Sequence, residues 1–359
     1  MKYAVTKIIT AGVLLAGLSF PDRAASPAAQ QAAPKKAEAG KTQAAKVQAE
    51  EVSFHNESVK LAGTLVLPQL GAGAKAPAVL IVPTLENSVR DGVLAGKGTH
   101  PLYRDLAEHL AARGYVVLRY DHRCGGASGC GPRNTLADYT DDAQAALNYL
   151  RGRAEVDPQR LAVFGHGDGS FLGGSVAAHD GKVKTVIVTA ASGRSGSKLL
   201  TDRAAYRLAQ AGTPQAAASE YLAKLDRLIN RLINGDFDPA KDKVDLSDKF
   251  INHLIQNPDL AFSWLQDDPL QVIIGIQAPV LILQGEKDKE VAVKDAQYLE
   301  EAIKRNERPA YELRLLPESD HVFKLTPGAP SLKTYNDTSR PTDAGFYQSV
   351  DEWLDKRMK

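Results

Sequence analysis

The sequence has no surplus of charge. Its 44 basic side chains stand against 43 acidic ones, a net of +1, so the overall charge suggests neither a nucleic-acid partner nor an acidic substrate. It also lacks a long apolar run. The stretch Ile8 to Phe20 covers 13 residues, against the roughly 20 that a bilayer-spanning helix requires. No internal repeat is visible, which excludes a solenoid. Cysteine is nearly absent, with Cys124 and Cys130 the whole complement. They lack C-x-x-C spacing and have only His122 as an evident companion ligand, so no zinc site is expected. No metal and no cofactor are expected elsewhere.

What is present at the N-terminus reads as an export signal over residues 1–25. Lys2 and Lys7 precede the apolar run, and Asp22 and Arg23 end it. Cleavage falls among the small residues Ala24 to Ala28; an uncleaved membrane tether is the alternative. No cysteine follows the run, which argues against a lipid anchor. Residues 26–50 are mostly Ala, Gln, Lys and Pro and cannot bury a core, so they read as a flexible linker. The folded domain is expected over 51–359, with ordered structure from about Val52 and no membrane span in the mature chain. An exported chain is periplasmic or extracellular, and an oxidising compartment there would join Cys124 to Cys130.

Short apolar runs alternate with helical patterns. Strands are expected at Val52–Phe54, Leu61–Leu67, Ala78–Val82, Tyr115–Tyr120, Leu161–Phe164, Val183–Thr189, Val280–Leu283 and Tyr311–Leu316. Helices are expected at Pro101–Arg113, Thr135–Arg151, Val293–Ile303 and Ala344–Lys356. This alternation predicts an α/β fold with a mostly parallel sheet covered on both faces. The interval from about Ser195 to Gln277 breaks it with helical patterns only, and reads as an inserted helical cap. Its Tyr206, Tyr221, Phe262 and Trp264 could line a mostly apolar pocket or simply pack.

Five segments carry a family resemblance: L-A-G-T-L from Leu61, R-Y-D-H-R from Arg119, G-H-G-D-G from Gly165, Q-G-E-K-D from Gln284 and S-D-H-V-F from Ser319. In this order they resemble exported bacterial α/β-hydrolases of the serine esterase and serine aminopeptidase type. The resemblance covers about residues 52–357. It implies a nucleophile elbow at Gly165, His166, Gly167, Asp168 and Gly169, where a strained turn lifts a serine from the end of a strand. It implies an acid at Asp288, with Glu286 the neighbouring alternative, and a base at His321. It implies oxyanion donors from the Asp168 N–H and from the segment after Val82, here Thr84 or Leu85. The ligand implied is a small ester, acyl or peptide-like molecule.

The chain departs from that pattern at several places. Gly167 stands where the serine belongs. Pro83-Thr84-Leu85 replaces the expected small residues, and Pro83 has no N–H to donate. Cys124 replaces a glycine in the loop where Asp121 and Arg123 are expected to pair. Joint departures fit drift after loss of function better than one introduced substitution. Ser170, Asp168 and the cysteines are weak substitutes for the nucleophile. Three readings follow. One is a ligand-binding pseudo-hydrolase. A second is an active hydrolase using another nucleophile or a water activated by His321 and Asp288. The third, a dinucleotide-binding protein, is disfavoured because Ser170 breaks G-x-G-x-x-G.

Overall fold

The computed structural model describes residues 47–85, 88–95, 98–238, 249–305 and 310–359. The expected export signal and all but the last few residues of the expected linker lie outside them. The elements run in chain order as β1 (Gln48–Asn56), β2 (Val59–Leu67), β3 (Ala76–Val82), β4 (Ser88–Val89), β5 (Gly92–Ala95), β6 (Gly98–His100) and α1 (Leu102–Ala112). Next come β7 (Val116–Tyr120), α2 (Leu136–Arg151), β8 (Val156–His166), α3 (Asp168–His179) and β9 (Val183–Thr189). Five helices follow: α4 (Gly196–Gln210), α5 (Gln215–Asn234), α6 (Lys249–Gln256), α7 (Pro258–Gln266) and α8 (Pro269–Gly275). The chain closes with β10 (Val280–Gly285), α9 (Val293–Arg305), β11 (Tyr311–Leu316), α10 (Leu332–Tyr335) and α11 (Ala344–Met358).

Eight strands form the main sheet in the order β1-β2-β7-β3-β8-β9-β10-β11. Strand β2 runs antiparallel to both neighbours; the pairs from β7 to β11 are parallel. The central parallel strands carry apolar runs, Ala78–Val82 in β3, Leu161–Phe164 in β8 and Val280–Leu283 in β10, because both their faces are covered. Along β3, Leu80 and Val82 enter one core while Val79 and Ile81 enter the other, as the period of two requires. Helices α2, α3 and α9 cover the first face through residues such as Leu147, Leu172 and Leu299. Helices α1 and α11 cover the second through Leu106, Val350 and Trp353.

The structure departs from expectation in three places. Strand β1 starts at Gln48 and pairs with β2 along its whole length, so order begins inside the segment read as linker. Strands β4 to β6 form a separate three-stranded sheet that no periodicity announced. The helical interval divides: α8 packs against α3 and α9 and so joins the layer covering the sheet, while α4 packs on α5 and α7.

From β3 the chain moves to β7 on one side, then returns to β8 on the other. The carboxyl ends of β3 and β8 therefore flank a topological switch point, where ligands of open α/β sheets bind.

Candidate active site

Strand β8 ends at His166 and α3 begins at Asp168, so Gly167 makes the whole turn, with φ 54° and ψ −124°. Side chains rarely adopt that conformation. The flanking glycines serve close approach. A Cβ on Gly165 would lie 2.3 Å from Ser170 Cα, and one on Gly169 would lie 2.1 Å from the Val82 oxygen. A Cβ on Gly167 would meet one neighbour, the Thr84 side chain, at 2.7 Å from Oγ1 and 3.0 Å from Cβ.

Asp288 and His321, on the loops after β10 and β11, come together. Asp288 Oδ2 accepts from His321 Nδ1 at 2.9 Å and from Gln284 Nε2 at 3.0 Å. Its Oδ1 accepts the N–H groups of Glu290 and Val291 at 2.8 and 2.9 Å. Glu286 is exposed, and Asp288 is the carboxylate that holds the imidazole. Burial disfavours the charged ring, but the adjacent Asp288 carboxylate, with help from Glu290, carries the His321 pKa up to about 9.

His166 behaves in the opposite way. Its Nε2 lies 2.8 Å from the His321 carbonyl oxygen, which only accepts, so that nitrogen carries the proton. Burial and the neighbouring His321 push its pKa down to about 3, so at neutral pH Nδ1 is an acceptor. It receives the Tyr103 hydroxyl at 2.9 Å, and the Tyr103 oxygen accepts the Thr84 N–H at 3.1 Å. Tyr103 is fully buried. The sequence reading missed it, because on α1 it looks like one more core aromatic.

This chain occupies the Thr84 N–H expected as an oxyanion donor. Pro83 offers only its carbonyl, which accepts from His122 Nε2 at 2.8 Å. Leu85 packs against the core of the first face. The Asp168 N–H lies in the first turn of α3, where helical N–H groups have no partner within the helix. Its carboxylate accepts from Trp264 Nε1 at 2.8 Å and from Thr84 Oγ1 at 3.2 Å, tying the elbow to α7. The Ser170 hydroxyl bonds both the carbonyl and the N–H of Thr189, at 3.2 and 3.0 Å.

Cys124 and Cys130 are joined in a disulfide. The expected pairing of Asp121 with Arg123 does not form. Asp121 accepts the N–H groups of Arg90 and Ala127 at 2.8 and 3.0 Å. Arg123 instead forks onto the buried Asp142 of α2 at 2.6 and 2.7 Å. Neighbouring loop positions point apart, so spacing of two does not imply contact.

Two cavities meet at His321 and Glu290. The first, about 830 Å³ with open solvent at its mouth included, is lined by the elbow residues Gly167 and Asp168 and by Trp264. The second also has His321 in its wall and is lined by Tyr206 and Tyr221. Phe262 lines neither and is 51% exposed. Glu290 is half-buried, yet Arg203 and Arg207, at 2.5 and 3.0 Å, outweigh the loss of solvent and hold its pKa at about 2.

The family described as serine aminopeptidase, S33, matches residues 94–323. Esterase EstD of Thermotoga maritima is 25% identical over 241 residues, covering 66% of this chain and 52% of that protein. An uncharacterised protein of Pseudomonas aeruginosa is 30% identical over 142 residues, covering 39% of this chain and 36% of that one. The chain thus spans about a third to a half of these curated relatives. Among solved structures, a Pyrococcus furiosus esterase superposes with a TM-score of 0.56 at 17% identity, covering 91% of this chain and 97% of that one.

Proposed function

The chain belongs to the serine aminopeptidase S33 family of α/β-hydrolases, and from that premise we propose that it binds an ester-, acyl- or peptide-like ligand without hydrolysing it through a serine. One observation carries this reading: the residue that makes the turn between β8 and α3 is Gly167, which has no side chain, and a Cβ placed there would crowd the Thr84 side chain at 2.7 Å from Oγ1. Two others support it. The Thr84 N–H is committed to Tyr103. The Asp288 carboxylate carries the His321 pKa up to about 9, which favours the protonated ring as a hydrogen-bond donor over a base for a nucleophile. In this reading Asp288 fixes the imidazolium, which holds a polar group of the ligand.

The retained Asp288–His321 pair favours a second reading, in which the imidazole activates a water in the space a serine would fill. That reaction would accelerate as pH rises through 9. We also propose that the chain is exported, a reading supported by the Cys124–Cys130 disulfide.

The test exposes purified protein to a fluorophosphonate probe and to a panel of short-chain esters and aminoacyl amides, beside His321→Ala. No labelling of the protein is expected, nor any turnover separating it from the variant. Turnover that vanishes in His321→Ala would overturn the binding reading in favour of the water mechanism.

A further inference from the structure

The two cavities that share His321 differ in chemistry. The first has apolar walls, among them Leu136, Phe171, Leu199, Trp264 and Ile273. It is also hostile to anions. Asp168, Asp267 and Glu290 already line it, and burial raises the Asp267 carboxyl to about 6. Its arginines are committed to acids: Arg194 forks onto buried Asp295 at 2.7 and 2.6 Å and also bonds Asp202, and Arg203 holds Glu290.

The second cavity is also walled largely by apolar surface, but it carries the cations. Arg207, Lys287, Lys289 and Lys333 line it against two carboxylates, Glu290 and Asp320. Both carboxylates are matched, Glu290 by Arg203 and Arg207, and Asp320 by Arg340 at 2.6 Å. The lysines are engaged weakly. Lys287 lies 3.9 Å from Glu318, at the limit of an ion pair. Lys289 stands 5.9 Å above the Tyr206 ring. A chain with a net charge of only +1 has thus gathered three lysines around one chamber.

We propose that the ligand is an anionic amphiphile, with its apolar chain under Trp264 and a carboxylate or phosphate head beyond His321 among Lys287, Lys289 and Lys333. The inference rests on the binding reading of the site and names its ligand class. The His321 imidazole lines both chambers, and in this arrangement it lies beside the junction of chain and head. An apolar chain gains by leaving water for the first cavity, while the head keeps its charge among cations instead of facing Asp168 and Asp267.

The experiment titrates the full chain with dodecanoate, dodecyl phosphate, neutral N-methyldodecanamide, acetate and inorganic phosphate, by calorimetry and tryptophan fluorescence. Trp264 reports on the cleft, and Trp353, buried in the opposite core, stays silent. The long anions should bind about tenfold tighter than the amide, the effect of a few weak charge contacts acting together. The relative affinities of dodecanoate and dodecyl phosphate tell which head is preferred. In the triple variant K287Q/K289Q/K333Q that preference should collapse while amide affinity stays the same, which also shows that the variant is folded. Equal binding of amide and anions, an undiminished preference in the variant, or acetate and phosphate binding as tightly as the long anions would each overturn the proposal. His321-dependent hydrolysis of a dodecanoyl ester would overturn the binding reading alone, since the lysine-dependent preference is measured separately.

Discussion

Any Cβ placed at position 167 would meet the Thr84 side chain, so substitutions at the two positions should not add. Gly167→Ala places a Cβ against Thr84 on a backbone with φ 54°. It should cost roughly 1–3 kcal/mol of stability, measurable by urea denaturation. The steric part of that cost should disappear when Thr84→Gly is made with it, whereas the backbone part should remain. Gly167→Ser alone should gain no labelling by a fluorophosphonate. The two histidines make a second residue-scale prediction. His321 has a folded pKa near 9, above its unfolded value of about 6.5. Its contribution is therefore full below about pH 6.5 and lost as pH rises through 9. His166, near 3 when folded, contributes fully above about pH 6.5 and loses that stability as pH falls toward 3. Melting temperature should peak near pH 6.5, with His166→Gln flattening the acid limb and His321→Gln the alkaline limb. A profile unchanged in both variants would refute the assignment.

At the scale of elements, the loop after β7 is held to α2 by the buried fork of Arg123 on Asp142. Removing one partner leaves an unpaired buried charge, so Arg123→Ala should cost roughly 3–5 kcal/mol. Opening the Cys124–Cys130 clamp by Cys130→Ser should cost less, about 2 kcal/mol for so short a loop. Comparing the two by chemical denaturation checks the order. Buried strands were legible in the sequence because both their faces are covered, so their apolar runs are continuous. Strands β4 to β6 were not, since elements of two to four residues that include Ser88, Gly92 and Gly98 carry no period to read. Asp288 and His321, which the structure brings to 2.9 Å, were legible only through the resemblance of the segments around them, each just beyond a strand end, to family motifs. Tyr103 was not, since its hydroxyl matters only through His166 and Thr84, two residues brought to it by other strands.

At the scale of the whole molecule, the sheet order has a consequence for the growing chain. Strand β1 has its partner as soon as β2 is made. Strand β3 has none, because it pairs only with β7 and β8, which begin at Val116 and Val156. At roughly 5–20 residues per second of synthesis, the run Ala78–Val82 waits for seconds as a bare apolar strand with the makings of an aggregation nucleus. Pro77 and Pro83 bracket that run, and neither can donate an N–H to a foreign strand. They act as gatekeepers for a strand that the finished fold hides completely. Pro83→Ala should therefore lower soluble yield on expression far more than it lowers the melting temperature of the protein that does fold; parallel losses in both would refute the idea. In β3 the demands of the folded sheet and the hazards of translation fall on the same residues, and the prolines at its ends answer the second without disturbing the first.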